Sequence, residues 1–492
     1  MLEAGGNAFD AAVAAGFAGA VVEPALTSLG GGGFLLARTA QGKMVLFDFF
    51  VNTPGKGRKP EEIESEPSFF PVTVKFPGSD QVFNIGAGSV AVPGNLKGFL
   101  HVHRLLGILP LKEVLAPAIE YAAKGTKLNR RQAYFLSLLK PIMLHSPMGK
   151  ELFLIKDNNK ERYVEEGDTL IFPDLAAFLE EVAASEGDAI RDIYEGMAGA
   201  NTAREMEKTG GLLTQKDLRE YQVIERKPLS ARFKGVELHT NPPPSFGGFF
   251  IKICLELLER LPIENMDFGT AQHLSLLTGA MIQVENYREE MGSRLIPPDE
   301  TWFDSASQEA VRLFARGTTH VSISDSHGNC ASMTTSNGEG SGCYIPGTGI
   351  MLNNMMGEDD LHPDGFHSSK PGIRVASMMS PSMVTRENQV HLVLGSGGSK
   401  RIRTAITQAF LNWAHFNIPI TDAVISPRIH WDGELLQVEP GFSSAALEEL
   451  SKKIRLNIWK EIDVYFGGVH AVAPLKGEAV GDPRRGGMAR II

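Results

Sequence analysis

Apolar and polar residues alternate along the chain in ways that predict helices near its start and short strands near its end. Residues 7–22 are rich in alanine and apolar on nearly every side, which predicts a buried helix. Residues 27–38 place a run of glycines before an apolar stretch, which predicts a loop followed by a strand, with residues 43–50 as its partner strand. Residues 85–107 predict a strand, a turn and a helix.

The middle of the chain, residues 110–260, predicts mainly helices. Thr214 and Asp217 have the spacing of a capping box at a helix start. Residues 241–261 predict a proline stop that continues as an amphipathic helix, and further helices are expected at 270–291, 402–416 and 444–453. After residue 315, short β-rich runs alternate with Gly, Asn and Asp turns. Helices therefore flank β-hairpins at both ends of the sequence, and we expect an α+β fold with stacked sheets covered by helices.

Composition narrows the classes of function. The 492 residues are 43% hydrophobic and 22% charged, as in ordinary globular proteins. The formal net charge of −10 argues against a nucleic-acid binder, whose surface would be basic. The three cysteines, Cys254, Cys330 and Cys343, form neither a disulfide framework nor a CxxC pair. No metal is expected, because His101 and His103 lie two residues apart on a predicted helix and so do not share a face. No cofactor is expected either.

The chain shows no run of about 18 apolar residues, so we expect no membrane partner. Its first residues lack a basic segment followed by an apolar one, the pattern of a secretory signal. The sequence as given therefore predicts a cytoplasmic protein. If residues precede this start, a periplasmic or secreted location stays open.

One hairpin carries candidate chemistry. The turn 325–329 (DSHGN) separates two runs rich in hydroxyl groups. Antiparallel pairing across this turn places Thr318 opposite Ser336 and Asn337. A hydroxyl and an amide would then lie within reach of the Thr318 side chain.

Threonine is a weak nucleophile unless a base lies within about 2.6–3.2 Å of its hydroxyl. No serine of the chain lies in a GxSxG elbow. Cleavage between Gly317 and Thr318 would supply the base, because the new α-amine has a pKa of about 7.7–8 and lies on the same residue. The alternative is structural, since adjacent threonines are common in strands.

A second segment, 393–406, predicts a strand that ends in Gly-Ser-Gly-Gly-Ser and continues as a helix. Successive backbone N–H groups of such a loop can converge on one oxyanion. The alternatives are a plain strand-to-helix turn and an anion site at a helix N-terminus. A phosphate loop is not expected, because no GxxxxGK[ST] motif occurs.

Eleven segments in register make the chain resemble the γ-glutamyltranspeptidase family of N-terminal-nucleophile hydrolases over nearly its full length. The segments are GGNAFDAAVAAGFAGAVVEP, GGGGFLL, GSVAVPGNLKGF, PAIEYAAKG, TGGLLTQKDLREY, PPPSFGG, TTHVSISDSHGN, GTGIMLNN, ASMMSP, GSGGS and GDPRR. The resemblance implies an αββα sandwich, with two stacked, mainly antiparallel sheets between helix layers. It also implies self-cleavage into a large chain, 1–317, and a small catalytic chain, 318–492, intertwined in one domain.

The resemblance assigns catalytic roles residue by residue. Thr318 is the expected nucleophile for self-cleavage and for acyl transfer. Ser336 matches a family threonine that hydrogen-bonds the nucleophile. Gly397 and Gly398 match the pair whose N–H groups bind the oxyanion, although Lys400 changes the spacing of the loop.

Substrate contacts are implied in the same way. Ser377 matches the first of two substrate serines, and Glu358 matches a carboxylate that holds the substrate's α-amine. Three positions depart from the family: Met378 replaces the second serine, and Phe50 replaces an arginine that grips the α-carboxylate. The third is an expected asparagine, which aligns with Gly338 beside Asn337.

The resemblance therefore implies a self-cleaving γ-glutamyltransferase or glutathione hydrolase. It would transfer a γ-glutamyl group from glutathione, or a related small amide, to water or an amine. The product of cleavage would be a heterodimer, with a higher homo-oligomer left open. Two alternatives remain: an acylase of the same family that acts on other N-acyl amides, and an uncleaved relative that only binds a ligand.

Overall fold

The computed structural model describes residues 1–59, 61, 68–76, 79–157, 160–292, 294–306 and 318–492. Gly317, the residue before the predicted cleavage point, lies outside this set. Contacts between residues divide the chain into two compact units. The first unit contains residues 1–34, 47–225 and 335–375, and the second contains residues 35–46, 226–334 and 376–492.

Helices and strands occur in both units. In the described residues the α-helices are Ala8–Val22, Asn95–Leu106, Leu111–Lys124, Arg130–Leu138, Lys140–Met143, Pro147–Phe153, Pro173–Ala184, Ile190–Tyr194, Met197–Lys208, Gln215–Glu220, Phe246–Arg260, Ala271–Met291, Glu300–Ser305, Arg401–Ala414, Ile420–Ile425 and Ser444–Ser451. None of the helices in these described ranges is both long and apolar enough to cross a bilayer.

Two sheets hold most of the long strands. The five-stranded sheet has the order Thr319–Ser324, Cys330–Ser336, Gly32–Arg38, Met44–Phe49, Ile224–Arg226. The six-stranded sheet has the order Leu229–Phe233, Val236–Thr240, Ser382–Arg386, Gln389–Gly397, Gly468–Ala473, Glu478–Val480. Smaller sheets pair Phe70–Phe76 with Ser79–Ile85, Thr126–Lys127 with Thr169–Leu170, Leu154–Asp157 with Lys160–Tyr163, Tyr344–Ile345 with Ile350–Met351, and Ile429–Trp431 with Leu436–Val438 and Leu456–Ile458.

In the first unit, the helix Asn95–Leu106 packs against the end of the strand Met44–Phe49. The helix Ala8–Val22 begins at a capping box, in which Asn7 accepts from the amide of Asp10 and the Asp10 carboxylate accepts from the amide of Asn7. The ring of Phe99, on the next helix, lies 5.7 Å from the ring of Phe49 on a strand. At Gly98 a Cβ would come within 2.1 Å of the Phe49 ring, so only glycine allows this helix to pack so closely.

In the second unit, the strand Thr319–Ser324 packs on two strands of the six-stranded sheet. The His320 ring stacks on the His470 ring with centroids 6.5 Å apart and planes 3° apart. A Cβ at Gly395 would come within 2.2 Å of the His320 ring, so the strands Thr319–Ser324 and Gln389–Gly397 meet through a glycine. The ring of Phe410 packs on the ring of Phe233, with centroids 5.7 Å apart, and brings the helix Arg401–Ala414 onto the six-stranded sheet.

The second unit also buries a cluster of four charged side chains, which we call the ionic cluster: Arg428, Glu439, Asp482 and Arg484. Arg428 lies 2.6 Å from Asp482, and Arg484 lies 2.5 Å from Glu439 and 3.2 Å from Asp482. The Asp482 carboxylate also accepts from the amide of Val469, at 2.8 Å. The C-terminal segment is therefore tied to the strand Gly468–Ala473.

Most of the predicted elements are confirmed, including the capping box of Thr214 and Asp217. The prediction for residues 110–260 is wrong at one place that matters. Residues 229–240 form a hairpin, Leu229–Phe233 paired with Val236–Thr240, rather than helix. Lys234 and Gly235 have φ angles of 47° and 77°, so a tight turn reverses the chain there.

Candidate active site

Thr318 lies beside the glycine loop that the sequence singled out. The residue is 3% exposed and precedes the first strand of its hairpin. A Cβ placed on Gly397 would come within 2.0 Å of the Thr318 carbonyl oxygen. No side chain fits between the two backbones, so glycine at 397 allows the predicted nucleophile and the loop to touch. Thr318 and Gly397 both belong to the second unit.

The glycine loop itself joins a strand to a helix, as predicted. Gly397 is the last residue of its strand and pairs with Gly468. Gly398 has a φ of 122°, a conformation that other residues rarely adopt, and the helix begins at Arg401. The oxyanion role of the N–H groups of Gly397 and Gly398 stays a prediction.

The part of the hairpin that lies in the second unit has the predicted register. His320 Nδ1 lies 2.7 Å from Thr334 Oγ1, and Cys330 Sγ lies 3.6 Å from Ser324 Oγ. Burial and the neighbouring His470 hold the pKa of His320 well below its usual value. A neutral His320, bonded to hydroxyls, fixes the strands and does not act as a strong base.

Ser377 and Met378 pack on the helix that begins at Phe246. The Ser377 carbonyl accepts from the amides of Phe246, at 2.8 Å, and Gly247, at 3.1 Å. The Ser377 hydroxyl accepts from the amide of Met379, at 3.1 Å. Met378 is 2% exposed. Both residues lie in the same unit as Thr318, and their substrate roles stay predictions.

In the first unit, three of the assigned positions come together around Gly338. The Ser336 hydroxyl accepts from the Gly338 amide at 3.0 Å. A Cβ at Gly338 would lie 2.4 Å from Glu358 Oε1 and 2.0 Å from Asn354 Oδ1. Asn337, the neighbour, donates from Nδ2 to the Leu352 carbonyl at 3.5 Å. The asparagine that the family places at 338 would therefore collide with Glu358 as these side chains lie.

Phe50 occupies a closed, apolar position. It is 1% exposed, and its ring stacks on Phe34 with centroids 5.4 Å apart. Its carbonyl accepts from Tyr221 Oη at 2.8 Å and from the guanidinium of Arg374. Arg374 also lies 3.2 Å from Asp48 and donates to the backbone. A buried arginine thus lies next to Phe50, but its guanidinium already lies against the carboxylate of Asp48.

The cations that follow Phe50 in sequence are also engaged. The Lys56 ammonium lies 2.9 Å from Glu220. Arg58 donates to the carbonyls of Leu212, at 3.3 Å, and Gly211, at 3.2 Å. Neither side chain reproduces the missing carboxylate-binding arginine without giving up these partners.

Two arginines close to these residues were not predicted from the sequence to have a role. Arg485 donates to the Thr318 carbonyl at 2.9 Å, although the GDPRR segment that contains it was recognised only as a family motif. Arg374 lies three residues before Ser377, and only its charge in an otherwise apolar stretch could have drawn attention to it. Across the part of the chain that the structure describes, no three His, Cys, Asp or Glu residues are grouped to hold a metal ion.

Comparison with known proteins places this geometry in a family. The family model described as Gamma-glutamyltranspeptidase matches residues 1–294 and 295–492. The glutathione hydrolase proenzyme of Escherichia coli (strain K12) is 30% identical over 92% of this chain and 82% of its own length. The acylase ACY 1 proenzyme of Pseudomonas sp. (strain SE83) is 32% identical over 92% of this chain and 83% of its own length.

The fold has a solved counterpart. The cephalosporin acylase of Bacillus halodurans superposes with a TM-score of 0.80 over 99% of this chain and 92% of its own, at 23% identity. This likeness confirms the predicted α+β fold of N-terminal-nucleophile hydrolases. Since the family model spans the chain and relatives of at least 30% identity cover most of it, the chain belongs to the γ-glutamyltranspeptidase family and is an enzyme of the N-terminal-nucleophile hydrolase class.

Proposed function

We propose that the chain cuts itself between Gly317 and Thr318, and that the freed Thr318 transfers an acyl group from an amide to water or an amine. The observation that carries the proposal is the contact of Thr318 with the loop at Gly397, where no side chain could intervene. Cleavage would give chains of residues 1–317 and 318–492. The curated relatives of E. coli and Pseudomonas are both named as proenzymes, which supports a processed two-chain enzyme.

The chemistry follows from the groups of Thr318. Its Oγ attacks the amide carbonyl, and its own α-amine takes the proton from the hydroxyl. The N–H groups of Gly397 and Gly398 bind the negative oxygen of the tetrahedral intermediate, and loss of one such donor typically costs about 2.7–4 kcal/mol in the transition state. The amine leaves with the proton, and water or another amine then releases the acyl group from Thr318. Ser336 is assigned, from its place in the family motif, to hold the Thr318 hydroxyl.

Cleavage can be tested directly. Freshly purified protein should separate on a denaturing gel into two fragments, and the smaller should begin with Thr-Thr-His-Val on N-terminal sequencing. The Thr318→Ala variant should remain a single band of 53.4 kDa and release no amine from any substrate. Wild-type protein that stays intact while it hydrolyses amides would contradict the proposal.

For the acyl donor we propose a γ-glutamyl amide such as glutathione. Glu358 is 5% exposed and lies against Gly338, two residues after Ser336. A carboxylate at this position would bind the α-amine of a γ-glutamyl group. The E. coli relative is named a glutathione hydrolase, which supports the same donor.

A second donor class is favoured by Phe50. The arginine that would grip the α-carboxylate is replaced by this buried ring, and Lys56 and Arg58 have other partners. Losing a buried contact to one charged partner typically costs about 2–5 kcal/mol. An N-acyl amide without the α-carboxylate avoids that loss, and the Pseudomonas relative is named an acylase.

Three anilides separate the two donor classes. The γ-glutamyl anilide carries both the α-amine and the α-carboxylate, the glutaryl anilide lacks the amine, and the 4-aminobutyryl anilide lacks the carboxylate. A γ-glutamyl enzyme should prefer the first, and Glu358→Gln should erase its advantage over the glutaryl compound. Equal or faster release from the 4-aminobutyryl compound by wild-type protein would favour the second donor class, because that compound lacks the α-carboxylate. Equal or faster release from the glutaryl compound would contradict recognition of the α-amine by Glu358.

A further inference from the structure

Arg485 runs along three glycines to reach the nucleophile residue. Its Nη1 donates to the Thr318 carbonyl at 2.9 Å. A Cβ at Gly468 would lie 2.4 Å from Arg485 Cδ, one at Gly397 would lie 3.0 Å from Cζ, and one at Gly398 would lie 3.6 Å from Nη2. The side chain therefore fills a groove that any larger residue at Gly468 would close.

The backbone of Arg485 is fixed by the ionic cluster. Its amide donates to the Asp482 carbonyl at 3.2 Å, and the amide of Gly487 donates to the same carbonyl at 2.9 Å. The preceding residue, Arg484, is fully buried and bonded to Glu439. A rigid turn thus presents the Arg485 guanidinium to Thr318, and the direction of this side chain is set before any substrate binds.

We propose that Arg485 is a positioning residue that holds the Thr318 carbonyl against the glycine loop, and that its charge favours the uncharged form of the freed Thr318 α-amine. The inference rests on the proposed cleavage before Thr318. The uncharged amine is the form that can accept the hydroxyl proton. A positive charge nearby disfavours a second positive charge. The guanidinium therefore lowers the pKa of the α-amine and increases the fraction of the amine that is uncharged at neutral pH.

Several other ionisable groups lie on the elements around Thr318. Arg485 is a charged side chain that donates a hydrogen bond directly to Thr318. His320 and His470 are buried, and burial lowers the pKa of His470 to about 4, so both rings are neutral at pH 7. Lys400 and Arg401 follow the glycine loop, and Arg401 donates to the Tyr465 carbonyl. Asp482 is paired with the arginines of the ionic cluster.

The size of the effect follows from Coulomb's law. The α-amine and the carbonyl of one residue are about 3 Å apart, so the guanidinium lies about 6 Å from the amine. At an effective dielectric constant between 20 and that of water, a like charge at about 6 Å lowers the pKa of an amine by about one unit. The acid limb of the pH profile of kcat/KM reports this pKa, because the free enzyme must lose that proton.

The test measures that acid limb for four proteins with the γ-glutamyl and glutaryl anilides. Arg485→Gln should move its midpoint up by about one pH unit, and Arg485→Lys, which keeps the charge, should leave it near the wild-type value. Arg455→Gln is the matched control, because this arginine belongs to the same unit and its side chain is 73% exposed. An unmoved limb in Arg485→Gln, with the small fragment beginning at Thr318, would overturn the inference.

A wild-type measurement covers the case in which Arg485→Gln fails to fold or to be cut. The rate of acylation of the Thr318 α-amine is followed against pH by mass spectrometry of the N-terminal peptide. A midpoint about one unit below the ordinary α-amine value of about 7.7 supports the inference, and a midpoint at or above that value overturns it. If no fragment begins at Thr318, the proposed cleavage itself fails, which N-terminal sequencing shows independently of any change at Arg485.

Discussion

The contact of Gly397 with Thr318 makes a sharp prediction for Gly397→Ala. The added Cβ would lie 2.0 Å from the Thr318 carbonyl oxygen, 2.9 Å from its carbonyl carbon and 3.0 Å from Arg485 Cζ. Contacts under 3.0 Å do not persist, so the Thr318 backbone must move away by about 1 Å. A displacement of this size at a reacting group lowers the rate about 100-fold, which corresponds to about 2.7 kcal/mol.

The assay follows two rates in the same preparation of Gly397→Ala. A time course on a denaturing gel gives the rate of self-cleavage. The rate at which the cleaved fraction releases the aniline from an anilide substrate gives kcat/KM. We expect both to fall, with kcat/KM about 100-fold below wild type. Overpacking should also lower the free energy of unfolding by about 1–3 kcal/mol, which leaves the protein folded at 25 °C.

Gly279→Ala is the control. Gly279 lies within the helix Ala271–Met291, and no atom other than its chain neighbours and the adjacent backbone of this helix lies within 4 Å of its Cβ position. Alanine there should keep full activity and stabilise the helix by about 0.5–1 kcal/mol. If Gly397→Ala cut itself and turned over substrate like wild type and this control, the close approach of the loop to Thr318 would not matter for catalysis.

Three further substitutions test the surroundings. Asp482→Asn should lower the free energy of unfolding in urea by about 3–5 kcal/mol, because it leaves buried arginine charge uncompensated. Burial raises the pKa of Asp482, but its arginine partners lower it, and the net pKa lies below the usual value. In the wild type, the stabilisation from this carboxylate is therefore present above about pH 4 and is lost as the pH falls through the folded-state pKa. Phe50→Arg should destabilise the protein without raising γ-glutamyl release, since it buries a second cation near Arg374; a stable variant with faster γ-glutamyl turnover would show that the site accepts the family arginine. Gly338→Asn should raise KM for the γ-glutamyl anilide more than for the glutaryl one, because its Cβ meets Glu358; equal changes in KM would argue against an amine site there.

Local patterns in the sequence predicted the elements that depend on near neighbours. The helix Ala8–Val22 was expected from its apolar run, and the turn 325–329 was expected from its Asp, Gly and Asn residues. The hairpin around Lys234 was missed because the surrounding segments are helical and the two-residue turn is short. Tertiary pairing with the strand Ser382–Arg386, rather than local preference, makes these residues strands.

Contacts between distant parts of the chain were harder to predict from the sequence. The sequence marked Thr318 and Gly397 separately, but their approach depends on the close packing of residues 318–320 against Gly395 and Gly397. Arg485 could not be distinguished from Arg484 by composition, although one contacts Thr318 and the other lies in the ionic cluster. The motif predicted that the segment matters, and only the three-dimensional structure distinguishes the two side chains.

One strand pair has a consequence for the processed enzyme. The strand Val236–Thr240 lies before the proposed scission point and pairs with Ser382–Arg386, which lies after it, and His239 Nε2 lies 2.8 Å from Thr385 Oγ1 across the pair. The two polypeptides should therefore stay together without a covalent bond between them. Separating them would break hydrogen bonds in the middle of a six-stranded sheet. The two products of scission should co-elute as one species in native chromatography and come apart only under denaturing conditions.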